Sequence, residues 1–146
     1  IFFRLFSPPW GKAQHLHMPS QVPHVRAMAS GEKPSVVINE EELKARLDPL
    51  AYRVLRQAGT EPGNGKHPFV QKKDEGKYLC RACGQALFPS GCKYVDGSGW
   101  PAFKDALPGA VLTVGKPPSQ EIVCSSCHSH LGHMFPDSHN PTGIRH

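Results

Sequence analysis

At 146 residues and 38% hydrophobic content, the chain can form one domain plus an appendage, with a thin core. Its formal charge of +5 is unevenly placed. Residues 1–31 carry Arg4, Lys12 and Arg26 and no acid, so the rest is left at only +2, weak grounds for a nucleic-acid surface. No stretch approaches the ~18 consecutive apolar residues of a transmembrane helix, and 15 Pro and 14 Gly argue against long helices and for a β body.

Residues 1–36 are basic, Pro-rich and free of acids until Glu32, as organelle transit segments are. They are read as a tail, with Val25-Arg26-Ala27 before Met28-Ala29 resembling a plastid-type processing site. The expected destination is a plastid or mitochondrion. The alternative is sequence lying ahead of a start at Met18 or Met28, in a cytoplasmic protein. The first residue is Ile1, as in a fragment.

The body is expected over residues 37–146. Asn39 is placed to cap a helix, with Glu42 at the capping-box position and Leu43 and Leu47 on one face. Asp48-Pro49 starts a second short helix, Leu50, Val54 and Leu55 turn inward, and Gly59 ends it. The chain from Thr60 to Glu75 is turn-rich. Strands are then predicted at 77–79, 86–88, 93–95, 111–114, 121–123 and 132–135, with Pro or Gly between most of them.

Two Cys-x-x-Cys pairs interrupt these strands, Cys80-Arg81-Ala82-Cys83 and Cys124-Ser125-Ser126-Cys127. Each makes a tight turn that aims two sulfurs at one point, and two such turns complete a tetrahedral zinc shell. An odd total of five cysteines and the lack of a long apolar signal-peptide core argue against a disulfide framework. The pairs are separated by 40 residues, far more than the ~15–20 of a zinc ribbon. The predicted role of the Zn2+ is therefore structural, tying distant parts of one domain together.

Three further clusters carry chemistry: Gly97-Ser98-Gly99-Trp100-Pro101-Ala102-Phe103, His128 to Phe135, and Pro141-Thr142-Gly143-Ile144-Arg145-His146. Together with Ala58-Gly59-Thr60-Glu61, Pro68-Phe69, Tyr78-Leu79-Cys80, Leu87-Phe88, Lys93-Tyr94 and Val123-Cys124, they resemble methionine sulfoxide reductase of the B type over about Leu47 to His146. The resemblance implies a mainly β fold, two antiparallel sheets forming a barrel-like body with short N-terminal helices and a structural four-cysteine zinc site. It implies reduction of the R epimer of methionine sulfoxide, chiefly in proteins. A thiolate or selenolate must attack the sulfur. The oxygen gains charge and needs hydrogen bonds, and the methyl group wants an aromatic wall. By this resemblance Trp100 is the wall, His130 and His133 serve the oxygen or hold water, Arg145 favours the ionised nucleophile, and Phe103 shapes the pocket floor or the core behind it. The implied partners are oxidised proteins or peptides and thioredoxin or another thiol reductant, with no nucleic acid and no membrane. A monomer is expected.

The family nucleophile, Cys or selenocysteine, belongs one position after His146, followed by a final strand segment. The expectation is a selenocysteine codon read as a stop, leaving residues 1–146 inactive and one sheet edge bare. The usual resolving cysteine corresponds to Ser98. An outside thiol, or Cys92, would then resolve the oxidised nucleophile. Cys92 is read as a bystander. From a different class, the residues also allow a zinc-stabilised binding module for protein or nucleic acid without catalysis.

Overall fold

Two short helices are placed by their own capping groups. The computed structural model describes residues 3–6 and 25–146, except Lys66, Lys73 and Ser119. In α1 (Glu40–Arg46) the Asn39 side chain accepts from the amides of Glu41 and Glu42 at 3.1 and 3.2 Å and donates to the Glu42 carboxylate at 3.1 Å. These bonds satisfy amides that the first helical turn leaves open. In α2 (Pro49–Gln57) Asp48 accepts from the Ala51 amide at 2.9 Å, and Pro49 occupies the first turn, where its missing N–H does no harm. Leu43, Leu47, Ala51, Val54 and Leu55 are buried, and Leu50 packs half-buried beside them.

Gly59 does not itself end α2. Ala58 adopts the left-handed conformation there, at φ 50°, and the Gly59 amide bonds back to the Arg53 carbonyl at 3.2 Å. A Cβ on Gly59 would lie 3.1 Å from the Arg53 side chain, so the glycine serves that close approach.

The remainder is mainly β. A three-stranded antiparallel sheet has the order β1 (Phe3–Phe6), β3 (Lys77–Cys80), β4 (Ala86–Pro89). A five-stranded sheet has the order β10 (Ile144–Arg145), β9 (His130–Pro136), β8 (Gln120–Cys124), β7 (Val111–Val114), β2 (Arg26–Ala27). Within it β2 runs parallel to β7, a departure from the antiparallel expectation. A small ribbon joins β5 (Lys93–Tyr94) to β6 (Ala102–Phe103). Val95, expected in β5, lies beyond it and is exposed. The strands at 3–6, 26–27, 102–103 and 144–145 carry no period long enough to read. The proposed start at Met18 and most of the transit-segment reading lie outside the described residues. No helix among the described residues is long and apolar enough to cross a membrane.

The core gathers α2, β3, β4, β7 and β8 around an aromatic cluster. Phe88 stacks on Phe103 with centroids 4.3 Å apart, and Tyr78 meets Phe103 edge-on at 4.9 Å. Removing a ring from such a cluster costs about 3–5 kcal/mol. One irregularity positions the site. Ile122 pairs with Gly132 but Val123 pairs with His130, so Leu131 is an extra residue in β9. This bulge re-aims the side chains on either side of it.

Candidate active site and metal centre

The two cysteine turns share one geometry. β3 delivers Cys80, the Gly84 amide returns to its carbonyl at 2.8 Å, and the Cys80 amide donates to Gln85 O at 2.7 Å. β8 delivers Cys124, the His128 amide returns to its carbonyl at 2.9 Å, and the Cys124 amide donates to Ser129 O at 2.9 Å. Gly84 and His128 are both left-handed, at φ 82° and 54°, as a chain folding back under its own sulfurs requires. Arg46 from α1 braces the first turn by donating to the carbonyls of Arg81 and Ala82 at 2.9 and 2.8 Å. Gln85 ties it to the second, donating to Ser125 Oγ at 2.8 Å and accepting from Ser126 Oγ.

The four sulfurs lie within 4.8 Å of one another, with Cys80 to Cys127 at 3.8 Å and Cys83 to Cys124 at 3.6 Å. Four ligands at the Zn–S distance of about 2.3 Å in a tetrahedron stand about 3.8 Å apart. All five cysteines are free thiols. Without a cation the cluster ionises only in part: hydrogen bonding with Cys124 pulls the Cys127 thiol down and pushes Cys80 up. The donor set could therefore hold a metal ion such as zinc, which would let every sulfur ionise together.

None of these cysteines lines the cleft beside β8 and β9, which has a volume of roughly 390 Å³. Trp100 forms one wall. Its indole N–H donates to Glu61 O at 2.9 Å, and its ring lies against Gly63, where a Cβ would come within 2.3 Å of the ring. Gly99, at φ 87°, approaches the same loop, and a Cβ there would stand 2.8 Å from Gly63 O. The floor is Phe103, 1% exposed, so the residue belongs to cleft and core together.

His130 and His133 share the opposite wall, with ring centroids 5.7 Å apart. In a regular strand residues three apart face opposite sides; the bulge at Leu131 brings them to one side. His130 Nδ1 faces the Val54 carbonyl at 3.2 Å, which assigns the proton to that nitrogen and leaves Nε2 toward Glu121. Burial lowers the His130 pKa, so the ring is neutral at pH 7. Arg145 also lines the cleft. Its guanidinium lies 5.0 Å over the Phe135 ring and is ion-paired with the nearly buried Asp96, which accepts from Ser98 N and Oγ at 3.0 and 2.6 Å. Asp96 thereby fixes the Arg145 guanidinium at the cleft.

The structure thus brings Trp100, Phe103, His130, His133 and Arg145 to one cleft and places Ser98 at its edge. Cys92 is not among the lining residues, and burial raises its pKa, which disfavours the reactive thiolate. Sequence reasoning missed Glu121, Asp96, Gly63 and the structural part of His146. The last is held by two backbone hydrogen bonds to Phe103, at 2.9 and 3.0 Å. Acidic residues in β8 and in the loop before Trp100 carried no motif; only pairing reveals them.

A β domain clamped by a metal-capable cysteine cluster, with an aromatic wall facing two histidines across a cleft, defines a class of small-ligand site built for a polar group carrying an apolar arm. Residues 47–146 match the SelR domain. The chain is 45% identical over 119 residues to peptide methionine sulfoxide reductase B2, chloroplastic, of Arabidopsis thaliana, covering 80% of this chain and 58% of that protein. It is 43% identical to peptide methionine sulfoxide reductase MsrB of Leptospira interrogans, over 73% of this chain and 85% of that one. The MsrB of Methanosarcina barkeri is 45% identical, over 73% and 78%. The chain belongs to the methionine sulfoxide reductase B family. A binding module without catalysis is not favoured.

Proposed function

We propose that the protein reduces the R epimer of methionine sulfoxide in proteins to methionine. The observation that carries this reading is the cleft itself, which sets an indole wall opposite the unpartnered Nε2 of a neutral histidine. The substrate methyl rests on Trp100 above Phe103. The sulfoxide oxygen is directed to His130 and His133, through a water held by His130 and an N–H of His133. Since His130 Nδ1 carries its proton toward Val54, His130 Nε2 accepts, and a bridging water or a ring N–H of His133 donates to the oxygen. Arg145, held by Asp96, favours an ionised attacking group nearby.

In each turnover the nucleophile attacks sulfur, takes its oxygen as a sulfenic or selenenic acid and releases methionine. One reductant thiol condenses with that acid, expelling water, and a second breaks the mixed disulfide or selenenylsulfide and restores the nucleophile. The reductant is thioredoxin or another thiol, since Ser98 cannot resolve. No described cysteine lines the cleft. The nucleophile is assigned to a residue joined to His146; the support for this is that His146 lines the cleft and is held to Phe103 by paired backbone hydrogen bonds. Cys80, Cys83, Cys124 and Cys127 would hold Zn2+, which fits the sulfur spacing and supplies stability rather than reaction chemistry. The catalytic body is assigned to residues 37–146, and the basic segment before it, which also lends β1 and β2 to the sheets, to targeting. A plastid destination is supported by the chloroplastic relative.

The test is reduction of a dabsylated R-sulfoxide by a polypeptide extended beyond His146 with cysteine at position 147 and a homologous C-terminal segment. Turnover of the R epimer alone is expected, and Trp100→Ala in that protein should lower kcat/KM at least tenfold. Equal turnover of both epimers would overturn the assignment.

A further inference from the structure

We propose that Glu121, His130 and His133 form a second metal site, taking a divalent transition cation such as Zn2+ beside the cleft that the two histidines line. The donor atoms of the three residues lie within 4.8 Å of one another. Nε2 of each histidine stands 3.9 Å from a different oxygen of the Glu121 carboxylate. Glu121 is directly opposite His133 in the β8–β9 register, and the bulge at Leu131 turns His130 onto the same face. Neither strand alone would assemble the trio.

A second observation points to a ligand. His130 Nε2 is buried and has no hydrogen-bond partner, while Nδ1 is fixed by the Val54 carbonyl. An imidazole whose far nitrogen is held by a backbone carbonyl is oriented as metal-bound histidines are, with its lone pair directed outward. Two imidazoles and one carboxylate suit Zn2+, Co2+ or Ni2+ and leave positions open for water.

Ligands sharing one tetrahedral ion at about 2.1 Å stand about 3.4 Å apart, so each carboxylate–imidazole separation of 3.9 Å must close by roughly half an ångström. His130 is rigid, whereas the Glu121 and His133 side chains are 43% and 30% exposed and can rotate inward. This borderline nitrogen and oxygen site binds more weakly than four thiolates and exchanges its ion. Occupied, it engages both histidines that line the cleft. That it then excludes the sulfoxide rests on the reaction proposed above; the binding itself does not.

The experiment titrates Zn2+ into protein already carrying one zinc per chain, by isothermal calorimetry. One further equivalent is expected, with affinity falling at least tenfold in Glu121→Gln and in His133→Asn, each checked for an intact circular dichroism spectrum. In the unmutated protein with 15N-labelled histidine, that equivalent should shift the ring nitrogens of His130 and His133 and leave those of His67 unmoved. A stoichiometry that stays at one, or a second equivalent that leaves these two rings unshifted, would overturn the proposal. In the extended, nucleophile-bearing protein the second equivalent should inhibit competitively with sulfoxide. Binding without inhibition would sustain the metal site and overturn the assignment of the cleft to the reaction.

Discussion

Lowering the pH from 7.5 to 5 should destabilise the protein through His146. Its ring is 9% exposed, lies against Phe88, and has no hydrogen-bond partner on either nitrogen. Burial lowers its pKa from 6.5 to about 4. Between those values the unfolded chain binds the proton and the folded one does not. Stability is therefore complete above about pH 6.5 and is lost as the pH falls toward 4. The whole shift corresponds to about 3 kcal/mol, of which about 2 kcal/mol is gone by pH 5. His146→Leu fills similar space without a titrating group. Urea unfolding followed by tryptophan fluorescence at pH 7.5, 6 and 5 should show the unmutated protein losing about 2 kcal/mol more than this variant across the range. His67, also lowered to about 4 by burial, and the cysteine cluster titrate in both proteins and cancel in the difference. Parallel pH slopes for the two proteins would refute the reasoning.

Gly63→Ala pushes a methyl into the Trp100 ring, so the indole should leave Glu61, with a red-shifted fluorescence and a raised KM in the extended enzyme; an unchanged spectrum would count against the contact. Gly84→Ala meets no atom within 4 Å, so its loss of about 1–2 kcal/mol, read from denaturant unfolding, should come from the left-handed backbone alone. Cys83→Ser should abolish stoichiometric zinc by elemental analysis and lower the Tm to that of the chelator-treated protein, because a three-sulfur set loses most of the binding energy that supports folding.

What was legible in the chain was local chemistry. Asn39 and Asp48-Pro49 announce helix starts because a cap acts on amides two or three residues away. The cysteine pairs announce a cluster that could hold a metal because each turn is complete within four residues. Six strands were legible from short apolar runs between Pro and Gly, but β6 and β10 were not, since two residues have no period and exist only through their partners. Ala58 rather than Gly59 turning left-handed was equally hidden, because the neighbouring Arg53 decides which residue needs to be small.

For the site, the residue types were readable and their geometry was not. His130-Leu131-Gly132-His133 names two imidazoles, yet on an even strand they would face apart; only the register against β8 supplies the bulge that unites them and the Glu121 beside them. Arg145 reads as a free cation until Asp96, 49 residues away, is seen to hold it. Sequence alone determined the helix caps, the paired cysteine turns and the aromatic and imidazole groups, because those follow from bonds spanning a few residues. Tertiary structure alone decided which side each group faces and what charge it keeps, because strand register and burial are set by parts of the chain far apart in order.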